Sequence, residues 1–165
     1  MPEKETLRRA RADKRAGKSG NTQAGEFVRE EIHHVREGKH GARSAKQAIA
    51  IGLSKARRAG VNVGKPPRSA KRSTKRAAKA ASRAGRKGTR PSATRSRATK
   101  RALKRESTRT TSPRALSKQA SRSAARRSER SRRASAQKAA RTKGPRVRRQ
   151  AAKKAARTRR RHASA

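Results

Sequence analysis

Only thirteen of the 165 residues are Leu, Ile, Val or Phe, and that scarcity constrains the fold more than any other feature of the chain. Fixing one backbone residue costs roughly 1–2 kcal/mol, and burial of large apolar side chains is the main favourable term set against it. A single packed domain of the whole length is therefore not expected. No run of about 18 apolar residues exists, so no helical membrane span is expected either. The stretch Met1-Pro2-Glu3-Lys4-Glu5 has no apolar segment of the secretory kind, which points to a cytoplasmic protein. Cysteine is absent. Disulfides, thiolate metal sites and Cys nucleophiles are thereby excluded.

The thirteen apolar residues are also unevenly placed. Ten of them lie in residues 1–64, together with 15 Lys+Arg and seven of the nine acidic residues. Residues 65–165 keep only Leu103, Leu116 and Val147, and carry 38 Lys+Arg against Glu106 and Glu129. The whole chain has a net charge of +44. The two regions meet at Lys65-Pro66-Pro67, where neither helix nor strand continues easily. Three segments follow: a basic arm over 1–20, a helical hairpin over 21–64, and a tail over 65–165. The expected fold is mainly α, a short N-terminal unit of two helices, or three if the arm contributes, followed by a long disordered basic tail.

Within residues 21–37, NTQAGEFVREEIHHVRE, the apolar positions Ala24, Phe27, Val28, Ile32 and Val35 fall on one helical face. Asn21 or Thr22 is placed to cap the start, and Gly38 suits the left-handed stop. Ser44-Ala45-Lys46-Gln47 has capping-box spacing and opens a second helix to about Ala59, with Ala48, Ile49, Gly52, Leu53 and Ala56 on one face. Gly60 and Val61 supply its stop. A weaker pattern runs over about Thr6–Ala16, ahead of the linker Gly17-Lys18-Ser19-Gly20. A unit this small is marginal alone, which makes self-association through the Phe27 and Ile49 faces, or a protein partner held by residues 21–64, an expectation.

The tail is built almost entirely from Lys, Arg, Ala, Ser and Thr, and Pro91, Pro113 and Pro145 divide it. With nothing to build a core it is expected to be coil when free. Ala, Arg and Lys favour helix, while like charges at i, i+4 oppose it. Neutralisation on a phosphate backbone is expected to release helix formation.

The segment Lys46-Gln47-Ala48-Ile49-Ala50-Ile51-Gly52-Leu53-Ser54-Lys55-Ala56-Arg57 resembles a motif, KQAIAIxLSxAR, of small uncharacterised bacterial proteins. Glu37-Gly38-Lys39-His40-Gly41 resembles the basic turn that precedes it there. The resemblance covers about residues 20–63 and implies a bacterial origin and a helical segment, with no activity attached. The tail is similar in composition to those of linker histones and bacterial histone-like proteins.

Charge then indicates the partner. Arg outnumbers Lys in the tail by 26 to 12, and Arg pairs with phosphate in bidentate fashion. Phe27 is the only Phe, Tyr or Trp, so base stacking cannot be a general mode. No zinc-finger or basic-zipper spacing is present. The expected function is that of a nucleoid-associated, histone-like architectural protein that grips duplex DNA by its phosphates and bridges it without reading sequence. RNA or ribosome binding is the alternative, and recruitment of a protein partner to nucleic acid is a third. A membrane partner is not expected, because no bulky amphipathic anchor accompanies the cations. The collective phosphate-binding residues are Lys71, Arg72, Lys75, Arg76, Lys79, Arg83, Arg86, Lys87, Lys100, Arg101, Lys104, Arg105, Arg126, Arg127, Arg132, Arg133, Arg148, Arg149, Lys153, Lys154, Arg159, Arg160 and Arg161.

Glu30, Glu31, His33, His34, Glu37 and His40 form the one cluster of acid–base or ligand types. On a helix, Glu30/His34 and His33/Glu37 are i, i+4 pairs, and the order lacks the H-E-x-x-H spacing for zinc. They read as exposed pairs that support the helix. Catalytic residues, cofactor and metal are all expected to be absent, and the chain is not expected to be an enzyme.

Overall fold

The computed structural model describes residues 2–89 and 92–163. Pro91, expected to interrupt the tail, lies outside them. Among the described residues there are seven α-helices: α1 (Lys4–Arg15), α2 (Gly20–Arg36), α3 (Ala45–Arg58), α4 (Arg72–Lys87), α5 (Ala93–Lys104), α6 (Pro113–Ala125) and α7 (Glu129–Ala163). A 3₁₀ turn covers Arg109–Thr111. The chain divides into two compact units, residues 1–119 and 120–165, and the division falls inside α6.

In the first unit α2 packs against both α1 and α3. Phe27 sits at the centre, fully enclosed with Ala10, Ala24 and Ala56, and Leu7, Leu53, Val61 and Val63 close over it. Enclosure within its own chain leaves Phe27 no surface to offer a second copy. A smaller cluster joins Val35, Ala42 and Ala48. So few large side chains suffice because small residues let the backbones come close. At Gly52 an added Cβ would stand 2.7 Å from Val28 Cα and 2.9 Å from the Phe27 carbonyl oxygen.

The ends of these helices follow local chemistry. Ser19, rather than Asn21 or Thr22, caps α2 by accepting from the Thr22 N–H at 3.3 Å. Asn21 instead accepts from the Gly64 N–H at 3.1 Å, tying the Val61–Gly64 strap back to the start of α2. Ser44 accepts from the Gln47 N–H at 3.2 Å and opens α3. Gly17, Gly38 and Gly60 carry the positive φ of the three helix stops.

The tail departs from expectation. It is not a disordered strand: α4, α5, α6 and α7 occupy most of residues 65–165, so a fold of two or three helices plus an unstructured tail is overturned. Three physical reasons can be named. Ala and Arg are strong helix formers, and a like-charged i, i+4 pair costs only a few tenths of a kcal/mol. The helix ends are capped, by Gly88 in the left-handed conformation after α4, by Ser112 before α6 and by Ser128 before α7. Pro113 begins α6 instead of breaking it, at the position where its missing N–H costs nothing. Pro145 does mark a break, since Gly144 before it leaves the helical conformation at φ 65° and ψ 168°.

Helix α4 is also anchored. It lies along α3 with Ala81 buried at the contact, and Gly85 lets its backbone meet the Arg57 carbonyl. The end of α5 and the segment after it are tied to the end of α2 and the α2–α3 connection. Gly41 N–H donates to the Leu103 carbonyl, Ala42 N–H to the Ser107 carbonyl, and Arg36 Nε to the Thr111 carbonyl, at 2.9, 3.0 and 3.0 Å.

Candidate nucleic-acid interface

The anchoring of α4 through Ala81 and Gly85 decides where its charges point. At about 100° per residue, Arg72, Lys75, Arg76, Lys79, Arg83, Arg86 and Lys87 fall within an arc of about 120°. Ala81 lies on the opposite side, against α3. All seven cations are exposed, and Lys71 flanks the stripe at the N-cap. Arg86 and Lys87 stand in the last turn, where the helix dipole favours positive charge. From Arg72 to Lys87 the stripe runs about 22 Å at 1.5 Å per residue.

Other helices repeat the pattern. On α5, Arg97, Lys100, Arg101 and Lys104 share a face, with Arg105 at the C-cap. On α6, Arg114, Lys118 and Arg122 recur every fourth residue. On α1, Lys4, Arg8, Arg11 and Arg15 recur at spacings of four, three and four on the side away from buried Thr6 and Ala10. Sequence reasoning passed over the α1 and α6 stripes and Arg97. Spacings of three and four residues carry the signal; in the tail it is hidden because no helix is expected there, and on α1 the short pattern over Thr6–Ala16 is read only for its apolar side.

In the second unit, Arg126 and Arg127 lie between α6 and α7, and Arg132, Arg133, Arg148, Arg149, Lys153, Lys154, Arg159, Arg160 and Arg161 are on α7. All are exposed. Arg133 pairs with Glu129 at 2.7 Å, and Arg127 donates to the Ser131 hydroxyl and carbonyl. The α4 stripe gathers seven of the expected residues on one face of an unbroken helix, whereas the nine on α7 are spread along a helix interrupted at Gly144.

Seven of the nine acidic residues lie in residues 1–64. Glu30 and Glu31 are buried on α2, and Lys55 of α3 reaches both, 3.0 Å from Glu30 Oε1 and 2.6 Å from Glu31 Oε2. Burial pushes the Glu30 carboxyl up, but the Thr6 hydroxyl, the Lys55 ammonium and the Glu3 N–H outweigh it and hold it below its ordinary range. Burial pulls Lys55 down, while Glu31 and then Glu30 hold it above its ordinary range. Removing one partner of such a cluster leaves the remainder uncompensated. Lys55→Met is expected to destabilise the first unit by about 3–5 kcal/mol, read by urea denaturation. A loss below about 1 kcal/mol would show that the ammonium is not what holds the two carboxylates.

The expected i, i+4 pairs Glu30/His34 and His33/Glu37 give way to longer-range ones. His34 Nε2 lies 2.8 Å from Glu3 Oε1, and His40 Nε2 lies 3.2 Å from Glu31 Oε1. Glu37 pairs with Lys39 at 3.0 Å, and His33 is exposed. Among the described residues, no helix is long and apolar enough to cross a membrane.

Residues 4–69 match the model of a family of unknown function (DUF6496). The match takes in α1, α2 and α3 and stops just before α4. No curated protein and no solved structure matches the chain.

Proposed function

We propose that this protein binds duplex DNA through the phosphate backbone, without base discrimination, and neutralises and bridges it as an architectural component of the nucleoid. The observation that carries this reading is the α4 stripe, seven exposed cations on one face of an anchored helix. DNA presents one phosphate charge per about 1.7 Å of axis, so the 22 Å stripe faces about 13 phosphates counted over both strands. The further basic faces on α1, α5 and α6 and the exposed cations of α7 add sites for polyanions, and bridging requires more than one. Phosphate contacts fix position and carry no sequence information.

Gel shifts of the full chain across a salt series test the proposal. If ten to twelve cations engage phosphates, log affinity falls against log salt with a slope near −10. Duplexes of unrelated sequence are expected to bind within a few-fold of one another. A slope shallower than about −3, or strong preference for one duplex sequence, would sink the reading. Tighter binding to duplex RNA than to DNA at equal salt would move the assignment to an RNA-binding protein, since backbone contacts alone do not choose the 2′-hydroxyl.

A further inference from the structure

In a chain with 53 Lys+Arg and nine acidic side chains, Glu3 stands against His34 and Glu31 against His40. One ligating atom from each of Glu31, His34 and His40 lies within 4.8 Å of the other two. The Gly38 turn produces this convergence, by returning the chain so that His40 faces the α2 residues it follows.

The Glu31 carboxylate is completely enclosed. Lys55 and His40 stand close to its two oxygens, yet neither oxygen accepts a well-aligned hydrogen bond among the described residues. The His40 ring adds a second constraint. Its Nδ1 lies 3.0 Å from the Gly41 carbonyl oxygen, which can only accept, so Nδ1 carries the proton. In the neutral ring the Nε2 lone pair then points at Glu31 Oε1, 3.2 Å away. Two lone pairs so placed call for a cation between them. A second imidazole converging on the same point favours a metal ion, because it adds a donor to a metal and has nothing to give a proton already shared.

We propose that Glu31, His34 and His40 bind a divalent transition-metal ion of the zinc class. Imidazole nitrogen with one carboxylate oxygen suits zinc and its neighbours and disfavours magnesium and calcium. Three protein donors leave a fourth position for water. Outer partners are present for two of the ligands, Lys55 on the second oxygen of Glu31 and the Gly41 carbonyl on His40, and Glu3 Oε1 lies 2.8 Å from His34 Nε2. Such partners orient ligating groups. The donors must close to the spacing of about 3.4 Å set by bonds of about 2.0–2.2 Å, a movement on the scale of side-chain rotation.

Zinc chloride titrated into the full-length, chelator-treated chain, without nucleic acid, is the test. One equivalent of zinc is expected to shift the ring nitrogen resonances of His34 and His40 and leave those of His33 in place. Cobalt(II) is expected to give the intense visible absorption of a four-coordinate site. His40→Gln is expected to weaken zinc binding more than tenfold, and His33→Gln to leave it unchanged. Because the resonance shifts are read on the unaltered chain, they decide the matter even if a variant folds poorly. No uptake of zinc, or equal shifts at His33 and His40, would overturn the proposal.

Discussion

Replacing Lys71, Arg72, Lys75, Arg76, Lys79, Arg83, Arg86 and Lys87 together with glutamine is expected to weaken DNA binding at 0.1 M salt by on the order of a thousandfold or more. Each phosphate contact contributes about 0.9 to the salt exponent, which is roughly eightfold in affinity between 1 M and 0.1 M salt. If half of the eight cations make contacts, the exponent falls by about 3.6 and the loss is about 4,000-fold. Glutamine keeps the helix, being nearly as good a helix former as Lys or Arg, and leaves the Ala81 and Gly85 seam untouched. The comparison that gives this meaning neutralises a similar number of cations on α7, among them Arg148, Arg149, Lys153, Lys154 and Arg159. A smaller loss there is expected. Equal losses would mean that total charge governs binding and that the α4 face has no special part.

Gly52→Val is expected to destabilise the first unit by about 3 kcal/mol or more, enough to expose the Phe27 cluster. A side chain at this position runs into the backbone of Val28 and Phe27, which cannot turn aside as a flexible side chain would. Overpacking of this kind ordinarily costs about 1–3 kcal/mol, and a core built from one Phe, a few aliphatics and alanines holds little in reserve. Gly25 provides the contrast. It lies within the same helix α2 as Phe27 with open space around it, so Gly25→Ala is expected to stabilise by about 0.5–1 kcal/mol. Amide hydrogen exchange at Phe27 and Val35 reads both variants without interference from the remaining helices. Native protection in Gly52→Val would mean that α2 and α3 are not pressed together there.

The N-terminal helices were legible because each carries several agreeing local signals. Phe27, Val28, Ile32 and Val35 set a helical period, Ser44 and Gln47 set a start, and Gly38 and Gly60 set the stops. The tail was misread because absence of a core was equated with absence of structure. Its helices bury almost nothing, Ala81 being the one buried residue among α4, α5 and α6, and stand on alanine propensity, serine and glycine caps and the α3 seam. Composition supplied the cationic residues of the candidate interface, but their arrangement on faces appears only once the helices are known. The Glu31, His34 and His40 convergence was illegible for a different reason. Helical spacing relates His34 to Glu30, whereas the pairing that forms depends on a turn and on a neighbouring helix.

Gly144 deserves a mechanical reading. Its backbone angles belong to a region open essentially to glycine alone, and Pro145 behind it withholds a donor, so α7 is jointed at that point. A continuous 35-residue helix would be a straight cylinder about 52 Å long, tangent to any curved object at one place only. Articulated near its middle, the same length can lie as two chords of an arc, and the curvature it fits is fixed by one residue that lacks a side chain.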